Sequence, residues 1–211
     1  LERVRGAGRG VRLRVGYAPS LASGILSVAV ENFTQAHPEA KVDLFDLSTA
    51  EMLAELESNK LDIILTVASD TKTRGLKWTP LVRTTWKLAV KQKHPFANGQ
   101  RITPDQLASE PLLVFCQRDY PEYWKIVTGW LNEHRQHPKI AGEYDGAESI
   151  MTAVESGLGV AVVTARTAQL FRNRAQFKIL SPGPKPLCIA AGHRTDRGDH
   201  KPLAVFVEDL R

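Results

Sequence analysis

Apolar and polar residues alternate with two different periods along the first part of the chain, and the changes of period predict strands and helices. Residues 12–18 alternate one by one, which is typical of a half-buried strand. Between Ser20 and His37 the apolar residues recur at helical spacing, and Pro38 ends that helix. Residues 41–47 are predicted to form a second strand. The chain therefore opens with a strand, a helix and a strand.

A capping signal and an apolar stretch extend this pattern. Residues 48–51 (Ser-Thr-Ala-Glu) have the capping-box spacing, in which the serine hydroxyl accepts a hydrogen bond from a backbone N–H and the glutamate reaches back. Residues 61–67 are almost uniformly apolar, as expected of a central parallel strand with helices on both sides. The result is a βαβαβ unit, whose right-handed crossovers bring the turn after each strand to one edge of the sheet.

The same alternation starts again at Trp86 and predicts a second α/β unit. The predicted strands are residues 86–91, 112–116, 140–144, 160–163, 177–180 and 187–191. The predicted helices are a short one capped by Thr103 with Pro104 at its first position, and residues 121–135, 148–156 and 201–210. Gly157 ends the third of these helices. The fold class is therefore α/β, with two Rossmann-like units in series.

Composition and charge place the chain among globular proteins. Of its 211 residues 43% are apolar and 24% charged, which excludes disorder, collagen and coiled coil. No apolar stretch approaches the ~20 residues that span a bilayer, so no membrane association is expected. Residues 1–14 carry a net charge of +4 and the rest only +1, whereas a duplex-binding face needs clustered Lys and Arg. Residues 1–11 are interpreted as a linker remnant, with a functional basic arm as the alternative.

The chain has two cysteines, Cys116 and Cys188, each in an apolar stretch. We interpret them as reduced, buried side chains of a cytoplasmic protein, although a disulfide between them is left open. Arg118 follows closely on Cys116 and could lower the pKa of that thiol, but a small buried apolar role is favoured.

Two hydroxyl residues stand where a predicted strand passes into a helix. Ser20 follows the first strand and Thr49 follows the second. Unpaired N–H groups and the positive end of the helix dipole face outward at such turns. Because the two turns would be neighbours in one sheet, Ser20 and Thr49 could converge on a small anion or carboxylate. The alternative is that both residues merely cap their helices.

No arrangement typical of catalysis or metal binding appears in the sequence. The six histidines are scattered, and His134 and His137 have no further ligand nearby. A P-loop, a Gly-x-Ser-x-Gly motif and a Cys-x-x-Cys pair are all missing. We therefore expect no catalytic residue, no metal and no cofactor. Tyr123, Trp124 and Trp130 have the spacing of a helix's inner face, with an aromatic wall of a ligand cavity as the alternative.

Taken in order, several segments resemble one family, the effector-binding domain of LysR-type transcriptional regulators, which has the type 2 periplasmic-binding-protein fold. The segments that carry the resemblance are residues 12–20, 33–38, 47–53, 61–64, 88–97 and 154–162. Each of them is weak by itself, but their order extends over residues 12–210. The resemblance implies that the family's N-terminal winged helix-turn-helix is absent from this chain, so that DNA is bound only through that missing domain.

The resemblance also implies two subdomains joined by two crossover segments, with a small metabolite bound in the cleft between them. Subdomain I would comprise residues 12–85 and 190–211, and subdomain II residues 86–189. The family positions that line the effector pocket correspond here to Ser20, Leu21, Thr49 and Val67 on the first side, and to Cys116, Gln117, Arg118, Tyr123, Gly146 and Ala147 on the second.

Three departures from the family pattern bear on the effector. Val67 stands where some acid-binding members carry an arginine, so an anionic effector would depend on backbone N–H groups, hydroxyls and Arg118. Thr164 replaces a common proline. Cys116 and Cys188 lack the spacing of the peroxide-sensing members, so redox sensing is not expected. The expected effector is a carboxylate or an aromatic metabolite.

Members of the family pair antiparallel, which implies a homodimer here and a tetramer of the full-length protein. The first helix of one copy, with Leu26, Val30 and Phe33, would face Trp124, Val127 and Leu131 of the other. The sequence thus predicts a cytoplasmic ligand-sensing domain that is not an enzyme. The rival interpretations are a periplasmic solute-binding protein of a transporter and an enzyme on the same fold.

Overall fold

The structure is a computed structural model that describes residues 11–68, 75–197 and 201–211. Its helices and strands, in chain order, are β1 (Arg12–Tyr17), α1 (Pro19–Ala36), β2 (Lys41–Asp46), α2 (Thr49–Glu57), β3 (Ile63–Val67), β4 (Leu76–Thr84), β5 (Trp86–Val90), β6 (Arg101–Ile102), α3 (Pro104–Ala108), β7 (Leu112–Phe115), α4 (Pro121–Glu133), β8 (Ile140–Tyr144), α5 (Ala147–Ser156), β9 (Val160–Thr164), α6 (Ala165–Leu170), β10 (Gln176–Leu180), β11 (Leu187–Arg194) and α7 (Lys201–Asp209). Residues 1–10 of the predicted linker lie outside the described residues.

All predicted strands and helices are present, with small shifts at their ends, and they form two sheets. The first sheet has the strand order β2-β1-β3-β11-β4, and the second has the order β6-β10-β5-β9-β7-β8. The chain passes from the first sheet to the second after β4 and returns before β11. The predicted α/β class with two crossover segments is therefore confirmed.

The first sheet is mixed, whereas the sequence predicted a parallel arrangement around residues 61–67. Strand β3 is central, as predicted, and pairs parallel with β1, but its other neighbour β11 runs antiparallel. The outer strand β4, which contains Pro80, was not predicted. Proline is tolerated there because β4 is an edge strand and its pairing with β11 shifts register between Ile189 and Ala190.

The helix starts show which residues act as caps. The Ser48 hydroxyl accepts a hydrogen bond from Glu51 N at 3.3 Å, and Glu51 Oε2 accepts one from Ser48 N at 2.9 Å, which confirms the capping box. Thr49 is the first residue of α2, and α1 begins at Pro19 without a side-chain cap. The interpretation of Ser20 and Thr49 as caps is therefore wrong. Gly157 ends α5 with φ +81°, as predicted, a conformation that favours glycine.

Each sheet contributes to an apolar core of its own, and these cores contain most of the residues predicted for a dimer interface. Leu26 and Phe33 are fully buried between α1, the first sheet and α7. Val127 and Leu131 are buried against the second sheet. Their side chains are covered within the chain and present no surface to a second copy. The two other predicted interface residues, Val30 and Trp124, are half-buried.

Candidate functional site

A cavity of about 500 Å³ lies where residues from the two sheets and their helices face each other. Its lining includes the turns that follow β1, β2 and β8, each of which leads directly into a helix. This volume is in the range of pockets that hold small organic molecules. Seven of the ten predicted effector-binding residues line it: Ser20, Leu21, Thr49, Val67, Tyr123, Gly146 and Ala147.

The first wall is built from the starts of α1 and α2. Ser20 is the second residue of α1 and is half-buried. Thr49 is buried, and its hydroxyl is 2.8 Å from the hydroxyl of Thr66 on β3, so either group can donate the hydrogen bond. This contact fixes the Thr49 side chain at the cavity wall. Ser20 and Thr49 were predicted to lie close together, and both line the same cavity.

The opposite wall is formed by aromatic side chains and by the start of α5. The Tyr123 ring packs edge-on against Phe115, with ring centroids 4.9 Å apart, and lies 6.0 Å from the Trp86 ring. Tyr123 is only 8% exposed, and its hydroxyl has no hydrogen-bond partner among the described residues. Burial raises the pKa of this phenol well above its ordinary value. Gly146 and Ala147 lie beside this wall at the start of α5.

Three predicted residues, Cys116, Gln117 and Arg118, do not line the cavity. Asp119 N and Tyr120 N both donate to Cys116 O, so the chain turns immediately after β7 and leaves Gln117 and Arg118 exposed. The Arg118 side chain is 85% exposed and pairs with Asp119 at 2.8 Å, which lowers the pKa of that carboxyl. The suggestion that Arg118 neutralises an anionic effector therefore loses its geometric basis. Cys116 is half-buried, and so is Cys188; both are free.

Several lining residues were not identified from the sequence. Among them are seven aromatic or hydroxyl-bearing side chains: Ser48, Trp86, Phe115, Tyr120, Thr164, Thr167 and Phe171. Phe115 and Asp46 stand at the carboxyl ends of β7 and β2, and this strand-end position was the one available signal for them. Thr164 accepts a hydrogen bond from Thr167 N at 3.1 Å and so caps α6, a role that the proline common in the family could not fill.

Among the residues that the structure describes, every charged side chain that lines the cavity is acidic. They are Asp46, Glu51, Glu122, Asp145 and Glu148. Burial, followed by the nearby Glu51, raises the pKa of Asp46. Burial and then Asp46 and other carboxylates raise the pKa of Tyr120 to about 12. The ionisable side chains that line the cavity therefore bring only negative formal charge to it.

Direct hydrogen bonds join the two walls. Ala50 N, at the start of α2, donates to Asp119 O, in the turn between β7 and α4, at 3.2 Å. On another side Arg166 Nε, from α6, donates to Leu21 O on α1. Any change in the separation of the two sheets would break or re-form these contacts.

The described residues contain little that points to catalysis or a metal. No histidine or cysteine lines the cavity within the described ranges. In the same residues no three His, Cys, Asp or Glu side chains are grouped to hold a metal ion. Of the helices that the structure describes, none has the length and apolar character to cross a membrane.

Comparisons with known proteins agree on one family. The family model for the LysR substrate binding domain matches residues 6–211. The chain is 30% identical over 158 residues to the HTH-type transcriptional regulator TtuA of Agrobacterium vitis, covering 75% of this chain and 52% of TtuA. It is 31% identical over 207 residues to the hydrogen peroxide-inducible genes activator of Pectobacterium carotovorum subsp. carotovorum, covering 93% of this chain and 66% of that protein. The chain thus spans little more than half the length of TtuA.

Solved structures share the fold. The effector binding domain of QuiR in complex with shikimate matches with a TM-score of 0.85 at 14% identity, covering 95% of each chain. The BenM effector binding domain with its effector benzoate matches with a TM-score of 0.79 at 20% identity, covering 97% of this chain and 92% of that one. At such identities the likeness concerns the fold alone, and it is the type 2 periplasmic-binding-protein fold that the sequence predicted.

Proposed function

Because this chain belongs to the family of LysR substrate-binding domains, we propose that it is the effector-sensing and dimerising domain of a cytoplasmic transcriptional regulator. The observation that carries the proposal is the cavity of about 500 Å³ between the two sheets, lined by the starts of α1, α2 and α5. The starts of α1 and α2 bring the hydroxyls of Ser20 and Thr49 to one cavity, and the aromatic wall offers apolar area. The effector is a small molecule enclosed by both walls.

The effector acts by population shift. Subdomain I surrounds the first sheet and was predicted as residues 12–85 and 190–211. Its second segment begins at residue 187 instead, because β11 (Leu187–Arg194) belongs to that sheet, and subdomain II around the second sheet, predicted as residues 86–189, ends at residue 186. A ligand that touches both walls favours one separation of the subdomains by its differential affinity for that arrangement. The hydrogen bonds Ala50–Asp119 and Arg166–Leu21 lie where this separation changes. No bond in the ligand is made or broken.

The response passes to DNA through parts of the regulator outside this chain. TtuA, which is described as an HTH-type transcriptional regulator, is nearly twice as long as the matched segment. DNA contacts are assigned to such an additional domain, because residues 15–211 carry a net charge of only +1. The relatives that match are regulators, which favours this function over a solute-binding protein of a transporter.

The proposed dimer places α1 of one copy against α4 of the other, and full-length chains assemble as tetramers. On α1 the exposed Val28 and the half-buried Val30 supply the apolar contact surface, and Trp124 supplies it on α4. Leu26, Phe33, Val127 and Leu131 hold the two helices in place from within each copy. We expect Val28→Asp to shift the sedimentation coefficient towards the monomer, whereas an unchanged dimer would remove α1 from the interface.

Blocking the cavity tests the sensing proposal. Ala147 is half-buried on the cavity wall, so Ala147→Trp fills part of the ligand space. Ala54→Trp is the matched control, because Ala54 is exposed on α2 and does not line the cavity. A compound at about 100 times its Kd raises the stability by about 2.7 kcal/mol, or Tm by roughly 5–11 °C.

A thermal-shift screen of small carboxylates, amino acids, amines and aromatics provides the compounds. We expect hits to raise Tm in the wild type and in Ala54→Trp but not in Ala147→Trp, with circular dichroism confirming that both variants fold. The double variant Ser20→Ala, Thr49→Ala should weaken binding. Equal shifts in all variants would mean that the compounds bind elsewhere and would contradict the proposal.

A further inference from the structure

The charges around the cavity are one-sided. Of the five acidic residues that line it, Glu148 is neutralised by an ion pair with Arg174, and Glu51 is engaged in the capping box of α2. Asp46 and Asp145 remain at the exposed rim, while Glu122 is half-buried. Within the described ranges no Lys, Arg or His lines the cavity. An anionic ligand would therefore face the carboxylates of Asp46, Asp145 and Glu122 and find no lining cation to pair with, which disfavours its binding.

Two buried polar atoms at the start of α4 lack a partner. Within the described part of the chain, Glu122 Oε2 and the Tyr123 hydroxyl are both buried without a hydrogen bond, and both residues line the cavity. The exposed fraction of Tyr123 is 8%, so this residue is 92% buried. An unmade hydrogen bond of this kind is costly, so a ligand that supplies it gains affinity. A carboxylate oxygen can only accept, so the partner that Glu122 lacks is a donor; the Tyr123 hydroxyl can donate or accept, and it can accept from the same group.

The remaining wall suits the body of such a ligand. Trp86 Nε1 already donates to Lys185 O at 2.9 Å, and the Tyr120 hydroxyl donates to Asp145 O at 2.8 Å. What these side chains offer to the cavity is therefore their rings. Together with Phe115 and Tyr123 they form an aromatic surface, which attracts a cation placed over a ring face.

A metal ion is a poorer match for the same acidic groups. Divalent cations need several oxygen ligands close together, and no group of three His, Cys, Asp or Glu side chains in the described residues could hold one. The aromatic rings would also contribute nothing to such a site. A large organic cation uses the carboxylates and the rings together.

From this arrangement we infer that the effector is an organic cation, a compound with a protonated amine on an apolar or aromatic body. The ammonium group donates to Glu122 and Tyr123, and the body packs on the aromatic wall. A carboxylate on the same molecule is compatible, since the starts of α1 and α2 offer donors on the other wall. This inference rests on the proposed function, because it concerns the same cavity.

Matched pairs of compounds test the charge of the ligand. Each pair shares one apolar body that carries either an amine or a carboxylic acid, for example the phenylethyl group of 2-phenylethylamine and 3-phenylpropanoic acid, with a neutral alcohol as a third member. Isothermal titration is performed on the wild-type chain and on Glu122→Gln, which keeps the shape of the side chain and removes its charge. Glu133→Gln is the matched control, because Glu133 is exposed on the same helix and lies outside the cavity.

We expect amines to bind, the acid partners to bind at least about tenfold more weakly, and Glu122→Gln to lower the amine affinity by about tenfold or more. Glu133→Gln should leave it unchanged. Acids that bind as well as their amine partners, or amines that bind Glu122→Gln undiminished, would overturn the inference. If acids bind and Ala147→Trp abolishes that binding, sensing stands and only the ligand class is wrong. If no compound of any class binds in the cavity, both proposals fail.

Discussion

Replacing Phe33 by alanine removes a ring that is fully buried between α1, the first sheet and α7. Phe33 is 0% exposed, and its ring packs edge-on against Phe206 with centroids 5.4 Å apart. Losing a ring of this kind costs about 3–5 kcal/mol, because the cavity it leaves collapses only in part. For a chain of this length that corresponds to a drop in Tm of about 6–20 °C. The control is Asn32→Ala on the same helix, where the side chain is exposed and the expected change is below about 0.5 kcal/mol.

Chemical denaturation at two protein concentrations separates a core role of Phe33 from an interface role. If the ring belongs to the core of a single copy, the loss in unfolding free energy is intrinsic to each chain, and it is the same at both concentrations once the dimer dissociation constant is taken into account. A loss below about 1 kcal/mol, or one explained entirely by a weaker dimer, would refute the placement of Phe33 in the core.

Further predictions concern caps, a buried hydroxyl pair and alkaline pH. Ser48→Ala should cost about 1 kcal/mol of stability by urea denaturation, whereas Ser20→Ala should cost almost nothing, since Ser20 is not a cap. Thr49→Val leaves the buried Thr66 hydroxyl without its partner, so it should cost about 1–3 kcal/mol, and Thr49→Ser should restore most of that. The raised pKa of Tyr120, about 12, means that the neutral phenol is favoured in the folded state, so stability is lost as the pH rises from about 10 towards that value. Tyr120→Phe should flatten this alkaline loss in denaturation curves, and an unchanged loss would contradict the assignment.

Local signals in the sequence were sufficient for most of the framework. The capping box at Ser48 and the glycine at position 157 act through neighbouring residues only, so their pattern predicts the structure directly. Strand β4 was not predicted; it contains Pro80, and only the edge position that the strand takes in the finished sheet makes proline acceptable there.

Contacts between residues distant in the chain decide which apolar faces are covered and where loops point, so the sequence pattern did not reveal them. An apolar stripe such as Leu26 and Phe33 shows that one helix face is buried, but not whether α7 or a second copy covers it. The direction of a loop is equally nonlocal: the turn at Cys116 O points Arg118 away from the cavity. Residues distant in the chain, such as Ser48 and Glu122, meet at the cavity only once both sheets are assembled.

Hydrogen exchange of the backbone amides tests most directly whether one ligand engages both walls. The free chain is compared with the chain saturated by a compound from the thermal-shift screen, and exchange is followed by mass spectrometry. If one ligand engages both walls, exchange becomes slower at the starts of α1 and α2 and, at the same ligand concentration, at the starts of α4 and α5. Protection confined to one wall, or found only on the outer faces of the sheets, would contradict it.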